Sequence, residues 1–194
     1  TFIPILNSTI IIKVLNTFNL KDSGTIIKPI INSLKKRLIK AITHIDDHCL
    51  LNISGKGMIG ISGILYKTFE VIHNIYNQSI PFITQASSEQ IICIAIPENK
   101  ADLIKCSLET HFSHELKNQQ ISNINIRKNI SIITVIGENM INNYGIAGKI
   151  FSLIGDNKIN ILAISQGSSE ISISFIISKD DKIKCITKLN EIIK

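Results

Sequence analysis

Tryptophan is absent, only three tyrosines occur, and the lysines and arginines behind the net charge of +6 are spread singly along the 194 residues. A nucleic-acid groove needs clustered cations and stacking aromatics, so this pattern argues against one. No apolar run reaches the ~18 uninterrupted residues of a membrane helix. Residues 1–20 also lack the basic start and small-residue cleavage site of a secretory leader. The expectation is a soluble, cytoplasmic protein with neither a nucleic-acid nor a membrane partner. The four cysteines, Cys49, Cys93, Cys106 and Cys185, form no Cys-x-x-Cys pair and lie inside apolar patterns. They predict reduced, buried thiols rather than a disulfide framework.

What the chain does contain is an internal repeat. The heptapeptide Ile83-Thr84-Gln85-Ala86-Ser87-Ser88-Glu89 returns as Ile164-Ser165-Gln166-Gly167-Ser168-Ser169-Glu170. The copies stand about 80 residues apart, well beyond the ~20–50 residues of a solenoid unit, so each belongs to a small domain of its own. Upstream, Gly55, Met58, Gly63-Ile64, Lys67 and Phe69 answer to Gly137, Met140, Gly145-Ile146, Lys149 and Phe151. A composition 44% hydrophobic and 19% charged gives enough apolar surface for two such cores.

Each copy reads as strand, glycine loop, helix, two strands and a second helix. In copy one these are a strand over 47–54, a loop over 55–62, a helix opening near Gly63 and strands over 81–85 and 90–97. A helix over 98–117 and an edge strand over 121–127 complete it. The apolar positions Leu65, Phe69, Ile72 and Tyr76 predict the buried stripe of the first helix, and Ile104, Leu108, Phe112 and Leu116 that of the second. Copy two repeats the order with strands over 130–136, 159–166 and 171–178 and helices over 145–157 and 180–193. In its last strand Ile171, Ile173 and Phe175 alternate with Ser172 and Ser174, which predicts one buried and one wet face. Copy two lacks a fourth strand, whereas 38–45 is a strand without a neighbouring partner. Outside the repeat, Ile10 to Leu15 reads as a buried strand followed by a turn at Asp22-Ser23-Gly24, and 29–40 as a basic connector.

Several constellations could carry chemistry. Gly55-Lys56-Gly57-Met58-Ile59-Gly60 has the spacing of a dinucleotide fingerprint, but its helix opens late and the next strand ends in Gln85 rather than an acidic residue. Cys93, Cys106, His111 and His114 lack the close pairs of structural zinc. His44, Asp46, Asp47 and His48 read as a solvated turn. No Ser/His/Asp or Cys/His set stands out, so no catalytic residue and no metal ligand is assigned. The Gln-x-Ser-Ser-Glu element remains. Ser87, Ser88, Glu89 and their copies could simply build a hairpin turn, but an amide closing a buried strand, at Gln85 and Gln166, is costly unless it meets a polar partner. A glycine loop at a helix N-terminus would offer backbone amides to a carboxylate. The two features together describe a site for a free amino acid.

These residues resemble tandem ACT domains in the regulatory half of aspartate kinases. The string Ile136-Gly137-x-x-Met140, Gly145-Ile146-Ala147-Gly148-Lys149-Ile150-Phe151, Asn160-Ile161 and Ile164 to Ser174 is similar to the family's second ACT domain. The Gln-x-Ser-Ser-Glu form with Glu115-Leu116 is most like the threonine-sensitive members fused to homoserine dehydrogenase. Asn139, Asn142 and Asn143 depart from the small loop residues of that family, and Leu20 stands where it often has proline.

The resemblance implies an α+β chain of two ferredoxin-like βαββαβ domains with antiparallel sheets, the first inserted in the second. It also implies the division 1–28 as the end of a kinase catalytic domain, 29–46 as connector and completing strand, 47–128 as first ACT domain and 129–194 as second. It implies a regulatory fragment of aspartate-family amino acid biosynthesis that binds L-threonine, or L-lysine, as feedback inhibitor and associates as a homodimer or larger homo-oligomer. The effector would meet Met58, Gly63, Ile64, Gln85, Ser88 and Glu89 in copy one, and Gly145, Gln166, Ser169 and Glu170 in copy two. No cofactor belongs to the fragment; ATP and magnesium belong to the kinase domain and NADP to any dehydrogenase that follows. A structural dimerisation module with decayed effector sites is the alternative from another class, and a lysine-sensing monofunctional kinase the alternative within the family.

Overall fold

The computed structural model describes residues 10–19, 21–27, 39–56, 63–86, 90–137, 140 and 143–193, the side chains of Ile192 and Ile193 excepted. The chain divides into a small unit, Thr1–Lys36, and a large one, Arg37–Lys194. In the small unit β1 (Ile12–Val14) pairs antiparallel with β2 (Thr25–Ile27). The turn between them uses Gly24 at φ 66, whose N–H donates to Asp22 Oδ1 at 3.1 Å. The expected burial of Ile10 to Leu15 is corrected: Ile10, Ile11, Val14 and Leu15 are exposed. Among the described residues a two-stranded ribbon has no second layer to cover it. The connector over 29–40 falls largely outside the described residues.

The large unit holds two four-stranded antiparallel sheets. The first is built from β4 (His48–Ser54), β5 (Ile83–Ala86), β6 (Ile91–Pro97) and β7 (Asn123–Arg127), in the order β5-β6-β4-β7. The second contains β3 (Ala41–Ile45), β8 (Ile130–Ile136), β9 (Ile161–Gln166) and β10 (Ser172–Ser178), in the order β3-β8-β10-β9. Both follow one ferredoxin-like plan. β3, which precedes the whole first domain, takes beside β8 the place that β7 takes beside β4. The first domain is thus inserted in the second, and the fourth strand of copy two comes from upstream.

Period-two alternation decides which face of each sheet meets the helices. In β4, Cys49, Leu51 and Ile53 join Ile92, Ile94 and Ile96 under α1 (Ile64–Ile75) and α2 (Ala101–His111). In the second domain Ile133, Val135, Ile173, Phe175 and Ile177 pack under α4 (Ile146–Asp156) and α5 (Lys182–Ile193). The stripe expected on α1 holds at Ile72, which is buried, and at Phe69, which packs against the core, but fails at Leu65, which is exposed while its neighbour Ile64 is buried with Thr68. Adjacent residues on a helix point about 100° apart, which is the difference between core and solvent. The helix expected over 98–117 is a short 3-10 turn followed by α2 and α3 (Ser113–Lys117), broken at Phe112, whose ring fills the core while its backbone leaves the helix at φ −96, ψ 22.

The face of β10 that carries Ser172 and Ser174 is half-buried rather than wet, and Ile171 is exposed. The sheets' outward faces meet: Leu50, Phe82 and Ala95 of the first domain form one buried cluster with Ile130, Ile132 and Ile176 of the second. On the same face of the second sheet Thr134 Oγ1 and Ser174 Oγ lie 2.9 Å apart.

The crossing from β3 to β4 is also more than a solvated turn. Asp46 accepts a hydrogen bond from Lys182 Nζ of α5 at 2.6 Å and another from Ser131 Oγ of β8 at 2.9 Å, with His44 Nε2 at 3.7 Å. Burial alone would raise the Asp46 carboxyl, but the bonds from Lys182 and Ser131 and the neighbouring positive charge hold it below its ordinary 3.8. A depressed folded value stabilises the native state above the unfolded value and loses that contribution as pH falls through the folded one. Asp46→Asn is expected to lose about 1–3 kcal/mol at neutral pH, the usual cost of removing a charge-assisted hydrogen bond. Urea titrations across pH should show the difference shrinking once the wild-type carboxyl protonates.

Candidate functional site

Gly145 caps α4 at φ 80, ψ 6, a left-handed conformation in which a Cβ is disfavoured, and no side chain caps the helix. Its carbonyl accepts from Lys149 N at 2.9 Å, which leaves the first-turn amides of Ile146, Ala147 and Gly148 pointing out of the helix without intrahelical acceptors. Opposite stands the end of β9. Gln166 is paired with Ile173 of β10, and a tight turn in which Glu170 N donates to Gly167 O at 3.1 Å brings Glu170, at φ 52, back towards it. Between them lies a cavity of about 290 Å³. It brings together Gly145, Gln166 and Glu170, with Ile146, Met140 and Tyr144 completing most of the wall. The charge layout is bipolar, with the positive end of a helix on one side and a carboxylate on the other.

Ser169 is exposed and does not line the cavity. Gln166 is exposed too, as is Gln85, so the reading of these amides as buried is corrected. The reason is topological: β5 and β9 are edge strands, each covered on one side only. The first domain repeats the frame. Gly63 caps α1 at φ 71, Ile64 is buried beneath it, and Gln85 is paired with Ile92 as Gln166 is with Ile173. Met58, Ser88 and Glu89 lie outside the described residues. The two glutamine strands also touch: Ser165 Oγ, next to Gln166, donates to Ile83 O at 2.9 Å.

Asn143, Tyr144, Ala147 and Ile173 also line the second-domain cavity, though the sequence assigned none of them to the site: Asn143, Ala147 and Ile173 stood out for other reasons and Tyr144 not at all. Met140 could have been found as the repeat partner of Met58. Asn143 and Tyr144 belong to the loop where the two copies diverge, so the repeat gave no signal for them. Gly145→Ala isolates the role of the cap. A Cβ there meets open space, so the expected cost of about 1–2 kcal/mol is one of backbone conformation alone, read by thermal or urea unfolding.

Of the nucleotide reading of 55–60, only Gly55 and Lys56 lie in the described residues, and Gly55 has another role. Gly55 is buried, and a Cβ on it would strike the backbone of Gln120 and Ile121, so its glycine serves close packing. The following helix starts only at Ile64, and Gly57 and Gly60 lie outside the described residues. Among the described residues no three His, Cys, Asp or Glu side chains gather as a metal group. Burial pushes the Cys49 and Cys185 thiols up to about 11, keeping them protonated and inert. The expectation that all four thiols are buried is corrected: Cys93 is half-buried, and Cys106 is exposed because it falls off the inward stripe of α2. No helix among the described residues is long and apolar enough to cross a membrane.

The ACT domain family profile matches residues 51–112 and 133–192, one segment in each sheet domain. The chain is similar to the bifunctional aspartokinase/homoserine dehydrogenase of Haemophilus influenzae, at 36% identity over 94% of the chain, and spans about a fifth of that relative (22%). Among solved structures, the aspartate kinase of Clostridium acetobutylicum superposes with a TM-score of 0.79 at 23% identity, over 98% of this chain and 44% of that one. Aspartokinase III of E. coli in complex with lysine and aspartate superposes with a TM-score of 0.64 at 19% identity, over 89% and 37%. At these identities the structural likeness establishes the fold.

Proposed function

Since the chain belongs to the ACT domain family, we propose that it is the effector-sensing portion of an aspartate kinase of the kind fused to homoserine dehydrogenase, and that it binds L-threonine. The observation that carries the reading is the cavity shared by Gly145, Gln166 and Glu170. An α-amino acid is a zwitterion, and the cavity is bipolar. Its carboxylate would sit on the first-turn amides of α4, its ammonium towards Glu170, and its side-chain hydroxyl against the Gln166 amide, which offers both donor and acceptor. About 290 Å³ is at the lower end of small-molecule sites and suits a compact amino acid. Gly63, Ile64 and Gln85, with Met58, Ser88 and Glu89, would form the equivalent site of the first domain.

In the parent enzyme, ligand binding would shift the kinase towards an inhibited state through differential affinity; a coupling of ~1–3 kcal/mol suffices for regulation. ATP, magnesium and any NADP chemistry would belong to the remainder of that enzyme. The 1–28 segment would belong to its catalytic domain, and the assembly would be a cytoplasmic homodimer or larger homo-oligomer. L-lysine is the rival effector, supported by the fold shared with the lysine complex of E. coli aspartokinase III. Calorimetric titration with each amino acid decides between them: saturable heat with L-threonine and none with L-lysine is expected. The reverse order would assign a lysine sensor, and no heat with either would leave a structural module.

A further inference from the structure

The chain crosses between the two sheets twice, and the crossings are built alike. One runs from β3 through Asp46 and Asp47 into β4, the other from β7 through Lys128 and Asn129 into β8. Each turns on a residue in the left-handed region, Asp47 at φ 58 and Asn129 at φ 59, where Asp and Asn are among the side chains best tolerated after glycine. Each offers its carbonyl to the first amide of the 3-10 turn that follows a central strand. Glu98 N, after β6, donates to Asp47 O, and Lys179 N, after β10, to Asn129 O, both at 3.0 Å. Each is also preceded by a charge paired with the helix beyond that turn: Asp46 accepts from Lys182 Nζ of α5 at 2.6 Å, and Lys128 Nζ donates to Asp102 Oδ2 of α2 at 3.3 Å.

The two differ in burial and in what reaches across. The side chains of Asp46 and Lys182 are each 20% exposed, whereas Asp102 is 82% and Lys128 50% exposed. A shielded, charge-assisted bond is strong, and an exposed pair is worth little. The turn over 179–181 touches both crossings by its side chains as well: Lys179 Nζ donates to Asp47 Oδ1 at 3.3 Å, and Asn129 Nδ2 donates to Asp180 Oδ2 at 3.1 Å. The start of α5 therefore grips the route into the first domain and the route out of it. Leu50, Ile130 and Ile132, of the buried cluster between the sheets, lie close along the chain to Asp47 or Asn129, so an apolar pivot stands beside the grip. Farther along β4 the domains part over a recess of about 620 Å³, between Asn52 and Ser54 on one side and residues 161–164 of β9 on the other.

We propose that the start of α5 is a conformational clasp that sets the angle between the two domains. With Lys182 on Asp46, Asp47 is held against Glu98, and the turn that opens α2 follows α5. α5 shares its core with α4 through Ile150, Ile154, Cys185 and Leu189, so a shift of α4 has a contiguous route to α2. Lys182 is the positioning residue of the clasp. The inference rests on the crossings and not on the ligand assigned to the cavity at α4.

The test is the distance between spin labels on the two helices, measured on the whole chain by pulsed electron resonance. One label takes Cys106, exposed on α2, and the other Asn190→Cys, exposed on α5, in a Cys93→Ser background; Cys49 and Cys185 are buried. The background should give a single narrow distance. Lys182→Met should add a second distance, its population raised about tenfold by loss of the charge-assisted bond. Lys182→Arg, which keeps the charge, should return the single distance, and Asp102→Asn, which breaks the exposed pair, should leave it single. Asp46→Asn, milder because one acceptor oxygen stays, gives the second reading if Lys182→Met does not fold. The proposal is overturned if the folded variants lower the unfolding midpoint but keep the single distance, which would make the bond merely structural. It is equally overturned if Asp102→Asn splits the distance as much as Lys182→Met does.

Discussion

Phe175→Ala should be among the most damaging substitutions in the chain, costing about 3–5 kcal/mol. Phe175 is fully buried on β10, and its ring meets Phe151 of α4 edge-on at a centroid distance of 6.0 Å and 77°. Truncation removes that contact and leaves a cavity between sheet and helix. Against the ~5–15 kcal/mol by which domains are commonly stable, the loss is a large fraction. With a urea dependence near 2 kcal/mol per molar, the midpoint should fall by about 2 M. The topology predicts where the damage spreads. The first domain is tied at both ends to the second sheet, through β3 before it and β8 after it, and Ile132 and Ile176 pack in the cluster shared with Leu50 and Phe82. Hydrogen exchange should therefore accelerate in β4 and β6 as well as in β10. Damage confined to the second domain would mean that the shared cluster couples them weakly.

Gln166→Ala should do the opposite, leaving stability within about 0.5 kcal/mol while weakening L-threonine ten- to a hundredfold, or about 1.4–2.8 kcal/mol. The side chain is exposed on an edge strand, at the wall of the cavity. Its contribution would appear only when a ligand closes the cavity and the Gln166 amide becomes the partner of a polar group cut off from water. Because Ser165 Oγ holds Ile83 O beside it, the same substitution should also change binding at Gln85 by a smaller factor. Calorimetry of Gln85→Ala, Gln166→Ala and the double variant reads both terms: additive losses would mean that the two strands act independently.

The repeated heptapeptide revealed the two-domain plan because identical local chemistry, a strand closed by an amide and then a turn, recurs at one place in both copies. An orphan strand at 38–45 and a missing strand in copy two were legible from the residues, but that the one completes the other, with the first domain inserted in the second, followed only from the resemblance to the family. Other features could not be read this way. Asp46, Ser131 and Lys182 are far apart along the chain, and only the packed fold makes them neighbours. The exposure of Gln85 and Gln166 depends on β5 and β9 being sheet edges, which alternation along a single strand does not specify. The phase of α1 failed at Leu65 because Ile64 and Leu65 are both apolar, and either could begin a helical stripe. The contact between sheet backs was hidden by serines at 172 and 174, whose small hydroxyls tolerate partial burial through the 2.9 Å pairing with Thr134.

The most direct test of the account is an amide NMR titration of the chain with L-threonine, following the first-turn amides of α4 and the Gln166 side chain. The account predicts saturable shifts at Ala147, Gly148, Gln166 and Glu170, lost in Gln166→Ala with the remaining spectrum unchanged. Saturable binding that moves other residues and leaves these four in place would contradict it.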